Sequence, residues 1–470
     1  MEIVMKKSQK KNNGLSKKER EALLLQKQNE ERKRKTKIAV VSCVALLLAA
    51  ALGVGVYFAV NSLFFSENAV IRKDIKKNTA EKNPDGAELE RAGKRDGDYT
   101  YALYDDGTVT LSYYWGDEEN VTLPEEIDGH KVTAVGQSCF YNKKNLRSVV
   151  LSKNVKHFEK YAFQDAVSLE SITIPEGTTV IREGTFANCF ALKEVSLPDT
   201  LKKMESGAFY FCKALAEIEL PEGLEHIGSY AFGGCALEGI ELPESLSVID
   251  EYAFSDCASL KEIAIPEGVK ELPTAIFNNC TALTRVDLPE GLEKIGMSAF
   301  YYCSSLVDCT IPKSVTEVGD YAFCHCVLLD GTVLPAGLKK LGSYVFADCN
   351  ALTVMYIPEA ITEIPEYTYA SCTSLREIVI PSSVKKIGSY AFTDCDAVKR
   401  VSVPEGVEYI GLCTFAAMDN LLSVDMPMTL LTIGEGAFAD CEKVVLRCVQ
   451  EDSFAWEYAE KYDIDAEIGK

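Results

Sequence analysis

The chain is poor in the residue types from which most active sites are built. Its 470 residues include four histidines and two tryptophans. It also lacks paired Cys-x-x-Cys metal motifs, a glycine-rich phosphate loop and a nucleophile elbow. The sequence therefore predicts no catalytic, cofactor or metal site, and we expect a protein that is not an enzyme.

Positive charge is scarce outside the first 37 residues. Residues 1–37 carry 13 Lys and Arg against 5 Asp and Glu, which leaves 36 basic and 65 acidic residues in the remainder. An acidic surface repels phosphate backbones, so the main part of the chain is not expected to bind nucleic acid. The basic leader itself has two interpretations, a nucleic-acid or nuclear-localisation patch and a basic flank beside a membrane.

The run that follows, residues 38–60, favours the membrane interpretation because it contains no charged residue. As a helix it spans roughly 34 Å, enough to cross a bilayer. We therefore predict a single transmembrane helix, with residues 1–37 in the cytoplasm and the rest of the chain outside the cell membrane. A cleaved signal peptide is the alternative, since Ala49 and Ala51 form an A-x-A arrangement, but both the leader and the apolar run are long for one.

Most of the remaining chain is an internal repeat of about 23 residues, marked by an aromatic residue in every copy. Fourteen aromatic residues keep this period, with one step of 22 residues: Phe140, Phe163, Phe186, Phe209, Phe232, Phe254, Phe277, Phe300, Phe323, Phe346, Tyr369, Phe392, Phe415 and Phe438. Such a period is typical of a solenoid, whose coils bury their apolar faces only against neighbouring coils.

Each coil contains a predicted strand and a predicted turn. The segment Leu375–Pro381, LREIVIP, alternates with period two and is the strand of its coil, so stacked coils should form one continuous parallel sheet on one face. A glycine follows the inward-pointing residue in eight coils, as at Gly296 and Gly319, and we expect positive φ there. Pro273 and Pro365 replace that glycine in two coils.

The combined pattern, LxxLxLPxxLxxIGxxAFxxCxx over about residues 121–447, resembles the BspA-like class of leucine-rich repeats. The resemblance implies a right-handed leucine-rich repeat solenoid with few helices, and surface roles in adhesion or protein binding. The segments on either side also look like that family's ends. We expect a charged linker at 61–97, an N-terminal β-hairpin cap at 98–120 around Asp106-Gly107, and a C-terminal cap with a short helix at 448–470.

Eleven of the 17 cysteines lie three residues after the aromatic residue, one per coil. Equivalent side chains on stacked coils point in parallel and stand about one strand spacing apart, farther than the Cβ atoms of a disulfide. We therefore predict reduced, buried thiols rather than a disulfide framework. A metal site at Cys324-His325-Cys326 is only weakly indicated, because no second pair of ligands accompanies it in the sequence.

The positions eight and ten residues after the aromatic residue point outward from the predicted strand, where a solenoid displays its variable residues. They are acidic in the early and middle coils and apolar in later ones. The predicted partner-binding residues are Glu217, Glu219, Glu241, Asp287, Asp308, Val333, Val354, Tyr356 and Val379. The alternative is that the apolar members only reflect β-propensity. A second row, Tyr230, Tyr252, Tyr321, Tyr344, Tyr367 and Tyr390, is expected to pack between coils rather than bind a ligand.

These patterns predict a membrane-anchored cell-surface protein whose repeat domain binds an extracellular or envelope protein, or a glycan. Two alternatives stay open: a structural component of the envelope, and an enzyme such as a glycan hydrolase. Paired carboxylates in a pocket would favour the hydrolase, whereas an open shallow face would exclude it.

Overall fold

The computed structural model of the protein describes residues 81–469. The predicted cytoplasmic segment, 1–37, and the predicted transmembrane helix, 38–60, lie outside the described residues and stay predictions. Within 81–469, no helix is both long and apolar enough to cross a membrane.

The described part of the chain begins with an antiparallel β-cap. Strands β1 (Leu89–Asp96), β2 (Tyr99–Tyr104) and β3 (Thr108–Tyr114) pair in sequence order, which confirms the predicted hairpin. The prediction of a linker over 61–97 is wrong at its C-terminal end, because β1 lies within it. The Asn83 side chain supports this region by donating hydrogen bonds to Asp106 and Thr108, each 2.9 Å long.

After the cap, the chain forms a solenoid with two rows of short strands. The first row, which ends five residues before each aromatic residue, contains mostly two-residue strands. It comprises β6 (His130–Val135), β8 (His157–Phe158), β10 (Val180–Ile181), β12 (Lys203–Met204), β13 (His226–Ile227), β14 (Val248–Ile249), β16 (Glu271–Leu272), β18 (Lys294–Ile295), β19 (Glu317–Val318), β20 (Lys340–Leu341), β22 (Glu363–Ile364), β24 (Lys386–Ile387), β26 (Tyr409–Ile410) and β28 (Thr432–Ile433). Strand β5 (Glu126–Ile127) precedes this row and pairs antiparallel with β6.

The second row lies at the predicted strand position and contains strands of three or four residues. It comprises β4 (Asn120–Thr122), β7 (Ser148–Val150), β9 (Ser171–Thr173), β11 (Glu194–Ser196), β15 (Glu262–Ala264), β17 (Arg285–Asp287), β21 (Val354–Tyr356), β23 (Glu377–Val379), β25 (Arg400–Ser402), β27 (Ser423–Asp425), β29 (Val445–Cys448) and β30 (Asp465–Ile468). The predicted parallel solenoid is confirmed, but the single continuous sheet on one face is wrong: two rows exist, and both are interrupted.

Two prolines account for the interruptions of the first row. In most coils the residue after the two-residue strand donates its amide to the preceding coil, as Gly296 does to Leu272 and Gly388 does to Ile364. Pro273 and Pro365 occupy this position directly after β16 and β22 and have no N–H to donate. The first row breaks between β14 and β16 and between β20 and β22, immediately before these two prolines.

The core of the solenoid is a continuous stack of the fourteen aromatic rings. Successive ring centroids lie 4.9–5.9 Å apart with interplanar angles of 4–20°. All fourteen rings are buried. Each ring therefore packs between the rings of its neighbours, and no coil has a complete core by itself.

The turn glycines are required by space rather than by positive φ, which corrects our prediction. A Cβ added at Gly296 would lie 2.7 Å from the carbonyl oxygen of Leu272 and 2.7 Å from the carbonyl carbon of Pro273. Positive φ occurs instead two residues before and two residues after the aromatic residue, for example at Tyr344 and Asp348.

None of the sixteen described cysteines forms a disulfide, and all of them are buried. Each of the eleven periodic thiols donates to the backbone carbonyl of the aromatic residue in the preceding coil, over 2.9–3.3 Å. A cysteine therefore fills a small apolar site and also supplies a hydrogen bond between coils.

The C-terminal end is closed by α1 (Phe454–Tyr462) and by β30, which pairs with β29. Ser453 caps the helix by accepting a hydrogen bond from the Trp456 amide, and Tyr458 donates to the Gly434 carbonyl in the last coil. The predicted helical cap is confirmed, whereas β30 was not predicted. Phe454, the first residue of the helix, is 40% exposed.

Candidate functional site

The outward positions of the second row form a face with two parts, which we call the acidic groove and the apolar patch. The groove is lined by residues of the early and middle coils, among them four predicted binding residues: Glu217, Glu219, Glu241 and Asp287. The patch consists of Val333, Tyr356 and Val379, each ten residues after the aromatic residue of its coil. Asp308 is exposed between the two parts and does not line the groove.

The acidic groove has a volume of about 970 Å³ and lies in the gap of the second row between β11 and β15. The coil between Phe232 and Phe254 is one residue short, and its Gly239 forms only an isolated parallel bridge with Glu262 in the second row. A Cβ added at Gly239 would meet no atom within 4 Å. The missing residue and the missing side chain thus leave open space where other coils carry a regular strand.

The charge of the groove is one-sided. Its described lining includes Glu217, Glu219, Glu222, Glu241, Glu244, Glu262 and Asp287, and no basic residue. Asp287 is partly neutralised, since Arg285 lies 2.9 Å from it. The six glutamates of the lining are exposed and make no described ion pair. The predicted residues omitted Glu222 and Glu244, which follow the prolines of successive coils and are recognisable only once the groove is seen to extend beyond the strand.

The apolar patch exposes large side chains on three successive coils. The exposed fractions are 60% for Val333, 56% for Tyr356 and 38% for Val379. The Cα atoms of Tyr356 and Val379 are register partners in β21 and β23, so these two side chains are neighbours on one face. Val354, also predicted to bind, is half-buried. A patch of this kind is available for contact with another molecule.

The first row carries a smaller cleft of about 550 Å³, lined by four acidic residues and two lysines. Glu317 lies in its lining between Lys294 and Lys340, at 3.5 and 3.3 Å. This cleft offers no net charge comparable to that of the acidic groove.

The tyrosine row packs between coils, as predicted. The Tyr321, Tyr344, Tyr367 and Tyr390 rings stack with centroid separations of 4.4–4.6 Å, and Tyr230 stacks on Tyr252 at 4.7 Å. Their faces cover one another, so this row is part of the architecture.

One mixed cluster of metal-ligating side chains occurs among the described residues: Cys324, His325 and Asp348. The sequence motif Cys324-His325-Cys326 shares two residues with this cluster, but Cys326 is not part of it. The Cys326 thiol donates to the Phe300 carbonyl inside the core, whereas Asp348 comes from the next coil. The repeat could have identified Asp348 as the third residue, since it follows His325 by one period of 23 residues.

Comparisons with known proteins agree with this architecture. The model of the BspA type leucine rich repeat region matches residues 113–235, 205–330 and 317–445, which is more than half of the chain. A leucine-rich repeat protein from Bacteroides ovatus is 28% identical, with 80% of this chain and 100% of that one covered and a TM-score of 0.70. A leucine rich cell surface protein from Faecalibacterium prausnitzii is 25% identical, with 83% and 100% covered and a TM-score of 0.53.

The pneumococcal vaccine antigen PcpA shares the fold at 21% identity, with 81% of this chain and all of that chain covered and a TM-score of 0.53. The comparison with curated proteins returned no match. The aromatic stack, the periodic thiols and the family match lead to one conclusion: the chain belongs to the family of BspA-type leucine-rich repeat proteins.

Proposed function

We propose that this protein is a membrane-anchored cell-surface protein whose repeat domain binds a protein partner through the acidic groove and the apolar patch. The observation that carries the proposal is the groove of about 970 Å³, lined by exposed carboxylates and continued along the same row by exposed Val333 and Tyr356. Function in this family is expected from surfaces, because the interior is occupied by the repeat itself.

The chemistry of the face selects the kind of partner. Exposed glutamates attract Lys and Arg side chains and accelerate encounter with a basic surface. Val333, Tyr356 and Val379 supply apolar area, and a tyrosine is a frequent binding hot spot. The fitting partner is therefore an extracellular or envelope protein with a basic segment next to aliphatic or aromatic side chains.

The anchor belongs to the proposal as well. Residues 38–60 would hold the chain in the cell membrane, with residues 1–37 in the cytoplasm and the repeat domain outside. The Faecalibacterium prausnitzii protein, described as a cell surface protein, supports an external location for the repeat domain. Fractionation of cells, followed by protease treatment of intact cells, tests this part: the repeat domain should be cleaved while the N-terminal segment is protected.

The enzyme alternative is less well supported by the groove. A glycoside hydrolase needs a carboxylic acid kept protonated by its surroundings and a second carboxylate facing it across the scissile bond. The carboxylates at the second-row positions of the groove, Glu217, Glu219, Glu241, Glu262 and Asp287, are exposed to solvent. Multivalent attraction for a basic partner is the chemistry that such groups offer.

Peptide display on the full-length chain in detergent tests the proposal without knowledge of the natural partner. A random peptide library is selected on the wild type, and a parallel selection uses Gly239→Trp, which fills the groove where the structure leaves space. We expect wild-type selections to enrich peptides that combine Lys or Arg with apolar residues, and we expect Gly239→Trp to bind these peptides at least about tenfold more weakly.

The charge-reversed variant Glu241→Lys should lose the same peptides, whereas Glu442→Lys, an exposed glutamate outside the groove, should keep them. Enrichment of acidic or charge-neutral peptides, or equal binding by Gly239→Trp, contradicts the proposal. Failure of any peptide to enrich, together with capture of envelope glycans by the wild type, would favour the glycan alternative.

A further inference from the structure

A second site lies apart from the acidic groove and the apolar patch, at the junction of two coils. It contains the Cys324 thiol, the His325 imidazole and the Asp348 carboxylate, whose ligating atoms all lie within 4.8 Å of one another. His325 Nε2 is 3.5 Å from Asp348 Oδ2. Three different donor groups from two successive coils thus converge on one point.

Cys324 and His325, the two adjacent donors on the earlier coil, both differ from the residues that are common at their positions in the repeat. At the position of His325, eight of the other thirteen coils carry Asn or Asp in the same left-handed conformation, and Asn279 pairs there with Asp256 of the preceding coil over 2.8 Å. At the position of Cys324, five other coils carry alanine. The solenoid therefore needs neither the thiol nor the imidazole at this place.

The surroundings hold the donors and leave an entrance. The Cys324 side chain is buried, while the side chains of His325 and Asp348 are 24% and 26% exposed. The imidazole ring stacks on Tyr302 with centroids 4.2 Å apart and meets Tyr301 edge-on at 5.8 Å. These contacts restrict the rotation of the ring, and the exposed edge lets solvent reach the site.

We propose that Cys324, His325 and Asp348 bind a borderline-soft divalent transition cation such as Zn²⁺, with water as the fourth ligand. Sulfur, imidazole and carboxylate are all ligands of Zn²⁺ at about 2.0–2.3 Å, which places neighbouring ligand atoms about 3.3–3.8 Å apart. The existing separations, all within 4.8 Å, thus need to shorten by about 1.5 Å at most. Ca²⁺ and Mg²⁺, which take oxygen ligands, do not fit a thiol and an imidazole.

Binding is a simple exchange of a proton for the metal. The Cys324 S–H bond breaks, its proton leaves to solvent, and the thiolate forms the S–Zn bond, while the imidazole and the carboxylate each donate one lone pair. The ion would link the coil of Phe323 to the coil of Phe346. Backbone hydrogen bonds already join these two coils, among them one from the His325 amide to the Ala347 carbonyl, and we expect metal binding to stabilise the junction further.

Zinc binding is measured on the tag-free full-length chain in detergent, with the cysteines reduced and oxygen excluded. The chain carries Cys43→Ala, which removes the one cysteine outside the described residues. Equilibrium dialysis against a competing chelator, with metal analysis, should show one tight site per chain. Cys324→Ala, His325→Asn and Asp348→Ser should each weaken binding by about 10–100-fold or more. All three replacements occur naturally at the same positions of other coils, at Ala347, Asn279 and Ser371, so we expect the variants to fold.

His226→Asn is the matched control, because His226 lies 2.7 Å from Asp250 without a cysteine in the cluster. It should keep the tight site, and Zn²⁺ should raise the Tm of the wild type and of this control but not of Cys324→Ala. Bound Co²⁺ should show a thiolate charge-transfer band that Cys324→Ala lacks. Equal affinity in Cys324→Ala and the wild type, or equal loss in His226→Asn, means an adventitious ion only and overturns the proposal.

Discussion

The interior of the solenoid and the outward face of its second row are built from the same repeat, yet they behave in opposite ways. Inside, every coil presents an aromatic ring and all but a few present a thiol at one spacing. Outside, the same strand positions change from Glu219 to Asp287 to Val333 and Tyr356 along the chain. The comparison separates residues that stack coils from residues that are free to define a binding surface.

The largest predicted effect comes from removing one ring of the interior stack. Phe300→Ala deletes a fully buried ring between two stacked neighbours, at 5.6 and 5.1 Å, and should lower the free energy of unfolding by about 3–5 kcal/mol. Phe190→Ala is the control, since Phe190 is 42% exposed, and should cost much less. Chemical denaturation measures both. Similar losses for the two variants would remove the distinction between interior and surface.

The next effect concerns the close contact between coils at the turn. Gly296→Ala places a Cβ against the backbone of Leu272 and Pro273 and should destabilise the chain by about 1–3 kcal/mol, because the preceding coil must shift. Gly239→Ala, where the added atom meets nothing within 4 Å, should change stability by less than about 1 kcal/mol. A harmless Gly296→Ala in thermal unfolding would contradict the packing role of this glycine.

A smaller effect is predicted for the periodic thiols. Cys280→Ala removes the hydrogen bond from Sγ to the Phe254 carbonyl, 3.1 Å long, and should cost about 1 kcal/mol. Burial also raises the pKa of the Cys280 thiol, so it should not react with a thiol reagent until the chain unfolds. Ser304→Ala, which loses a longer, half-buried bond of 3.4 Å to Thr281, should cost less. Rapid native-state labelling of Cys280 would show that the interior is open.

Much of the interior could be predicted from the sequence because it is periodic. The aromatic spacing gives the stack, and the spacing of the cysteines gives buried thiols. The two prolines that replace the turn glycine could also have predicted the breaks in the first row, because a residue without an N–H cannot donate to the preceding coil. Period-two alternation in LREIVIP identified the second row, but the two-residue strands of the first row are too short to show a pattern of their own.

The surface sites could be predicted less well from the sequence, because they depend on residues that deviate from the repeat. The acidic groove arises where one residue is missing and Gly239 has no side chain, so its lining reaches Glu222 and Glu244 beyond the strand. The cluster of Cys324, His325 and Asp348 needs residues from two coils, and a search along one coil selected Cys326 instead. Such sites emerge when neighbouring coils are aligned by their period.

The central claim is that an outward-facing residue contributes to binding because of the coil in which it lies. Its position within the 23-residue repeat is not sufficient. Val333 and Val150 test it directly, because each lies ten residues after its aromatic residue and each is 60% exposed. The affinity of the full-length chain for its best display-selected peptide should fall about tenfold or more in Val333→Ser and stay unchanged in Val150→Ser, with the stability of both within about 1 kcal/mol of the wild type. Equal affinity in the two variants would contradict the claim.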